Sequence, residues 1–157
     1  YAIQLVEKLI FNGFDIKLEI FGEGVERKKI EEYIVKNNLG NNIVLMGNKT
    51  KEELKVAYKK SYFLLLPSKS EGWPKAIAEG MFWGCVPIAT PVSCVPFMLD
   101  YGNRGILLKI DLEADTEQII SILKHRQKFD LKSKRALEWS QKYTTDSFEI
   151  EIKKLLK

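Results

Sequence analysis

Glu71 and Glu79 stand eight positions apart, and the stretch that links them reads as a loop running into a helix. Pro74 suits the first helical position. That makes Trp73 the cap residue, and tryptophan has no side-chain oxygen to accept from the first amides. The N–H groups of Lys75 and Ala76 then lack a side-chain partner, which suits an anion; water, or Ser70 folded back, is the alternative. Lys75 in the first turn opposes the helix dipole by ~0.3–1 kcal/mol, a cost that a phosphate beside it would offset. The other reading of Lys75 is a pair with Glu79, in the weaker orientation and worth at most about 0.5 kcal/mol.

Were the segment helical throughout, the two carboxylates would lie ~12 Å apart along the axis. That exceeds the ~5–9.5 Å separation of glycoside hydrolase carboxylates. It suits two acceptor groups gripping two polyols with a diphosphate between them, which is the shape of a nucleotide sugar. The small apolar stripe Ile77, Gly80, Met81 and Gly84 should pack on a sheet, leaving Glu79 to project nearly opposite. Phe82 and Trp83 lie on that outer side, which implies cover by a ligand or another domain.

The elements that must position these residues alternate along the chain. Apolar periodicity predicts strands at 16–21, 43–46, 62–66, 86–89 and 105–108. Helices are predicted at 2–11, 25–36, 50–59, 74–83, 114–124, 131–142 and 146–157, with a short one at 96–101. Asn12-Gly13 and Gly84 read as helix stops, and Thr50 with Glu53 as a capping box. The expectation is α/β: a Rossmann-like open parallel sheet of these five strands, with helices on both faces. Ligands of such sheets bind beyond the carboxyl ends of the strands, here the loops 22–24, 47–50, 67–73, 90–95 and 109–113.

Bulk composition narrows the function classes. The chain has 157 residues, one domain's worth, and a net charge of +4, which permits an anionic ligand without requiring nucleic acid. Cys85 and Cys94 flank an expected strand, and nine residues of extended chain span ~25–30 Å, too far for a disulfide. Free thiols fit a reducing cytoplasm. Two separated cysteines and one histidine, His125, assemble no zinc site, so no metal is expected. The basic residues Lys124, Arg126, Lys128, Lys132, Lys134 and Arg135 read as a solvated face; attraction to an anionic membrane bearing a lipid-linked acceptor is the alternative.

The run Glu71-Gly72-Trp73-Pro74-Lys75-Ala76-Ile77-Ala78-Glu79 resembles the Glu-x7-Glu motif of retaining glycosyltransferases of family 4, which have the GT-B fold. Leu64-Leu65-Leu66-Pro67-Ser68 before it, Gly84-Cys85-Val86-Pro87-Ile88-Ala89-Thr90 after it, Ile20-Phe21-Gly22-Glu23-Gly24 and Val44-Leu45-Met46-Gly47 are similar to that family's strand–loop junctions.

The resemblance implies the donor-binding, C-terminal half of such an enzyme. Glu71 would contact the donor sugar and serve catalysis. Gly72, Trp73, Pro74, Lys75 and Ala76 would wrap sugar and phosphates. Glu79 would accept from the ribose hydroxyls, Met46, Gly47 and Asn48 would lie along the base, and Gly22 would border the pocket. The substrate would be a nucleoside diphosphate sugar, used in glycan or polysaccharide biosynthesis, with no separate cofactor.

The chain starts at Tyr1 within a predicted helix. The expectation is therefore a domain spanning 1–157 whose first strand, with its basic pair, and whose acceptor-binding half both lie upstream. The isolated chain is then expected to be inactive, and any membrane association to come through the other half. The loop Pro91-Val92-Ser93-Cys94-Val95-Pro96-Phe97 departs from the family's glycine pair and Pro-Glu, and no role is assigned to it. Two rivals stay open: another GT-B enzyme, such as a sugar-nucleotide epimerase or a phosphorylase, and a doubly wound module that binds a protein partner.

Overall fold

The computed structural model describes residues 1–156. The chain falls into two compact units that divide between Val56 and Ala57.

The first unit holds α1 (Ala2–Phe11), β1 (Leu18–Phe21), α2 (Arg27–Lys36), β2 (Ile43–Gly47) and the opening turns of α3 (Lys51–Lys60). Helix α1 buries Leu5, Val6 and Leu9 at helical spacing and stops at Asn12, after which Gly13 takes φ +86°. The Tyr33 hydroxyl on α2 donates to Glu7 on α1 at 2.6 Å. β1 and β2 pair in parallel, Leu18 opposite Ile43. The expected capping box forms: Glu53 N–H donates to Thr50 Oγ1 at 3.2 Å, and Thr50 N–H donates to Glu53 Oε2 at 2.9 Å.

The second unit contains the end of α3, then β3 (Phe63–Leu66), α4 (Lys75–Phe82), β4 (Val86–Ala89), α5 (Val95–Met98), a 3₁₀ turn at Asp100–Gly102, β5 (Ile106–Leu107), α6 (Leu112–Leu123), α7 (Arg126–Ser140) and α8 (Thr145–Leu155). β4 lies between β3 and β5 and pairs in parallel with both. All of β4 is buried, as expected of a strand covered on both faces. Ile77 and Met81 of α4, Ala89, Val95, Met98, Leu99, and Ala136 and Trp139 of α7 form one core cluster.

The alternation, the α/β class and the parallel sense match expectation, but the single five-stranded sheet does not. The described strands pair as two sheets, β1–β2 and β3–β4–β5. Strand–helix alternation dictates direction through the crossovers, whereas an edge-to-edge neighbour depends on lateral packing that a local pattern does not encode. Helix α7 begins at Arg126, not 131, because Phe129 in the basic stretch is buried edge-on to Tyr62 and Phe63, at 5.6 and 5.3 Å between centroids. Lys132 also leaves the solvated face: its ammonium donates to the carbonyls of Gly102 and Gly105, and burial holds its pKa below the usual lysine value. Lys124, Arg126, Lys128, Lys134 and Arg135 are exposed as expected. Both cysteines are free. No described helix is long and apolar enough to cross a membrane.

Gly80 sets how closely α4 approaches β3. A Cβ built there would stand 3.0 Å from Leu64 Cδ2 and 3.3 Å from Leu64 Cβ, whereas one at Gly24 would meet nothing within 4 Å. Gly80→Val should therefore destabilise the protein by ~1–3 kcal/mol through overpacking, and Gly24→Ala by less than about 0.5 kcal/mol; urea unfolding curves of the two variants check the contrast.

Candidate functional site

The site residues expected from sequence divide between the two units. In the first, β1 and β2 bring Gly22, Met46 and Gly47 together. The register runs Ile20 opposite Leu45 and then Phe21 opposite Gly47, so Met46 is the extra residue of a bulge. Such bulges re-aim side chains beside functional sites. Gly22 N–H donates to the Gly47 carbonyl at 2.8 Å. Both glycines are left-handed, at φ +107° and +67°, a conformation open to glycine without a Cβ penalty. Glu23 packs over Gly47 and takes Arg27 Nη1 at 2.6 Å. Asn48 follows, exposed.

The second unit holds Glu71, Gly72, Trp73, Pro74, Lys75, Ala76 and Glu79. The cap of α4 is Pro74, one residue later than expected, because its ψ of 91° keeps it extended; Lys75 is then the first helical residue. The Pro74 carbonyl accepts from Ile77 N–H at 3.0 Å, and among the described residues no side chain caps this end. The amides of Lys75 and Ala76 thus open α4 without a side-chain acceptor, beyond the carboxyl end of β3. Among the described residues Lys75 and Glu79 form no ion pair. Glu79 instead accepts from the Tyr58 hydroxyl at 3.3 Å. Glu71 sits half-buried in the loop before α4, so the axial spacing estimated for a continuous helix does not apply.

The loop itself is held from β4. Thr90 Oγ1 donates to the Ser68 carbonyl, and Ser93 Oγ and Cys94 Sγ donate to the Gly72 carbonyl at 3.1 and 3.2 Å. The aromatic outer face of α4 is covered in part from within the unit: Lys59 Nζ lies 4.5 Å over the Trp83 ring, which meets Phe82 edge-on. Glu79 borders a groove of about 200 Å³ between α4 and α7, lined also by Trp73, Phe82, Trp139 and Tyr143.

Residues 1–139 match the profile of the family described as "Glycosyl transferases group 1". The chain belongs to that family. An uncharacterized glycosyltransferase of Methanocaldococcus jannaschii is 30% identical over 142 residues, which is 90% of this chain and 40% of the relative. The poly(glycerol-phosphate) alpha-glucosyltransferase of Bacillus subtilis is 25% identical over 151 residues, 94% of this chain and 22% of the relative. The chain thus spans less than half the length of these curated relatives.

Among solved structures, the pneumococcal O-GlcNAc transferase GtfA, in complex with UDP and GlcNAc, superposes with a TM-score of 0.86 at 18% identity, over 98% of this chain and 31% of that one. Sucrose-phosphate synthase of Thermosynechococcus elongatus gives 0.82 at 23% identity, over 98% and 41%. These likenesses show for this chain the GT-B-type α/β fold that its motifs implied.

Sequence reasoning missed Tyr58, Thr90, Ser93 and Cys94. Position alone could have pointed to the last three, since 90–95 was among the loops at carboxyl ends of strands; nothing local marks Tyr58, 21 residues before its partner. Burial first, and the Glu79 charge second, push the Tyr58 hydroxyl up to about 12. It therefore remains a donor throughout the neutral range. Stability from this raised pKa is complete below the ordinary tyrosine value of about 10 and is lost as pH rises through about 12. An alkaline titration followed by tyrosinate absorbance should show a late-ionising group that Tyr58→Phe removes.

Proposed function

We propose that this chain is the donor-binding part of a retaining glycosyltransferase that uses a nucleoside diphosphate sugar, with uridine as the base. The observation that carries the reading is the uncapped start of α4, entered from the loop that holds Glu71 and followed within two turns by Glu79. Family membership supports sugar transfer, and the structure of GtfA with UDP and GlcNAc supports the base.

In the proposed reaction the bond from the anomeric carbon to the diphosphate breaks. A bond to the acceptor oxygen forms on the same face, and the acceptor gives up its proton. Negative charge grows on the leaving diphosphate. Pre-oriented amides of Lys75 and Ala76 and the ammonium of Lys75 would stabilise it, needing little rearrangement at the moment of transfer. Glu71 would hold the sugar hydroxyls, with Gly72, Trp73 and Pro74 forming the wall. Glu79 would accept from the ribose hydroxyls. The acceptor would be bound by residues outside this chain, in glycan or polysaccharide synthesis; a lipid-linked acceptor at a membrane surface fits the same scheme. Transfer by the isolated chain is not expected.

Glu79→Ala should weaken UDP binding by about 1–3 kcal/mol, the range for hydrogen bonds to a charged group. The same change should weaken 2′-deoxy-UDP less. Calorimetric titration of both ligands decides; equal losses would remove Glu79 from ribose recognition. Product analysis of the whole enzyme, showing transfer and not epimerisation, tests the reaction class.

A further inference from the structure

The loop after β4 has no part in the reaction above, yet it holds the loop that does. Ser68 and Gly72, whose carbonyls accept from Thr90, Ser93 and Cys94, lie on either side of Glu71. The described chain contains no cis peptide, and in a trans peptide the carbonyl and the following N–H point in opposite directions. Drawing back the Ser68 and Gly72 carbonyls therefore turns the N–H groups of Lys69 and Trp73 away from the 90–94 loop. Ser93 makes its bond from a left-handed backbone, φ +51°, which is disfavoured for any residue with a Cβ. Glycine would avoid that strain but could not donate to Gly72. Strain of this kind persists where surrounding contacts hold it, and it concentrates at working sites.

We propose that Thr90, Ser93 and Cys94 are positioning residues of the donor site. They tie two loop carbonyls to one side so that the loop offers N–H groups, and not carbonyl oxygens, to the diphosphate. This rests on the reading of the β3–α4 loop as the donor site. It gives the 90–94 loop a task that its departure from the family motif had left open. It also separates the roles of the two tethered loops: one meets the ligand, and the other sets the polarity of the face that meets it.

The test is titration of the whole chain with UDP and with uridine, followed by ligand-observed NMR, beside thermal unfolding. Ser93→Gly combined with Cys94→Ala removes both donors to Gly72 while relieving the strain at position 93. The melting temperature should hold or rise, UDP should bind roughly 3- to 10-fold more weakly, and uridine should bind as before. Ser93→Gly with Cys94→Ser, which restores one donor, should recover part of the loss. Glu79→Gln is the second arm and should weaken both ligands. If the first double variant binds UDP undiminished while Glu79→Gln weakens it, the positioning role is overturned and the donor site stands. Equal weakening of UDP and uridine by the double variant also overturns it, since that marks plain structural support. If the unaltered chain binds no UDP at millimolar concentration, the donor reading fails and this inference with it.

Discussion

The parallel pairing of β3 with β4 is the constraint on which the candidate site depends. Phe63 faces Val86 and Leu66 faces Ala89, so the two strands run together and end together. Their following loops must leave at the same edge, and that is why side chains at 90, 93 and 94 reach carbonyls at 68 and 72. An antiparallel pair would place those loops at opposite ends. The same geometry returns α4 against the sheet through Gly80 and turns it sharply at Gly84, φ +85°, with Cys85 N–H donating back to the Gly80 carbonyl at 2.9 Å. The helix start is thereby delivered to the carboxyl edge with its first amides uncapped.

Two lysines show how the fold assigns opposite uses to one side chain. Lys132 is drawn inward, where its ammonium donates to the carbonyls of Gly102 and Gly105 and burial disfavours its charge. Lys75 stays exposed in the first turn of α4, where the backbone dipole is unfavourable to a cation. The first lysine is satisfied by the protein. The second stands where an anionic ligand would satisfy both it and the helix.

Short-range features of the sequence proved legible, and contacts across the fold did not. β4 has the bounds that its apolar run implies, α1 ends at Asn12, and Thr50 and Glu53 form their box, because each follows from residues within a few positions. The cap of α4 fell one residue late because a proline's φ suits both a cap and a first turn, and only ψ distinguishes them. The start of α7 was hidden because Phe129 stands alone among charges and earns its place from β3, more than 60 residues earlier. Lys132, Tyr58 and the hydroxyls on the 90–94 loop share that property: their partners are remote in sequence. The motif residues could be named from their order, but what holds them had to come from tertiary structure.

One contact at the far end of α4 bears on all of this. Ser133, on α7, donates its hydroxyl to the Gly84 carbonyl at 2.6 Å, and its oxygen would lie 3.4 Å from any Cβ placed at position 84. The tail of α4 is thus pinned by a residue 49 positions downstream. A rod pinned at its tail can be steered by small displacements there. The axis of α4, and with it the line along which its first amides point, is therefore set from α7 as well as from the sheet beneath it.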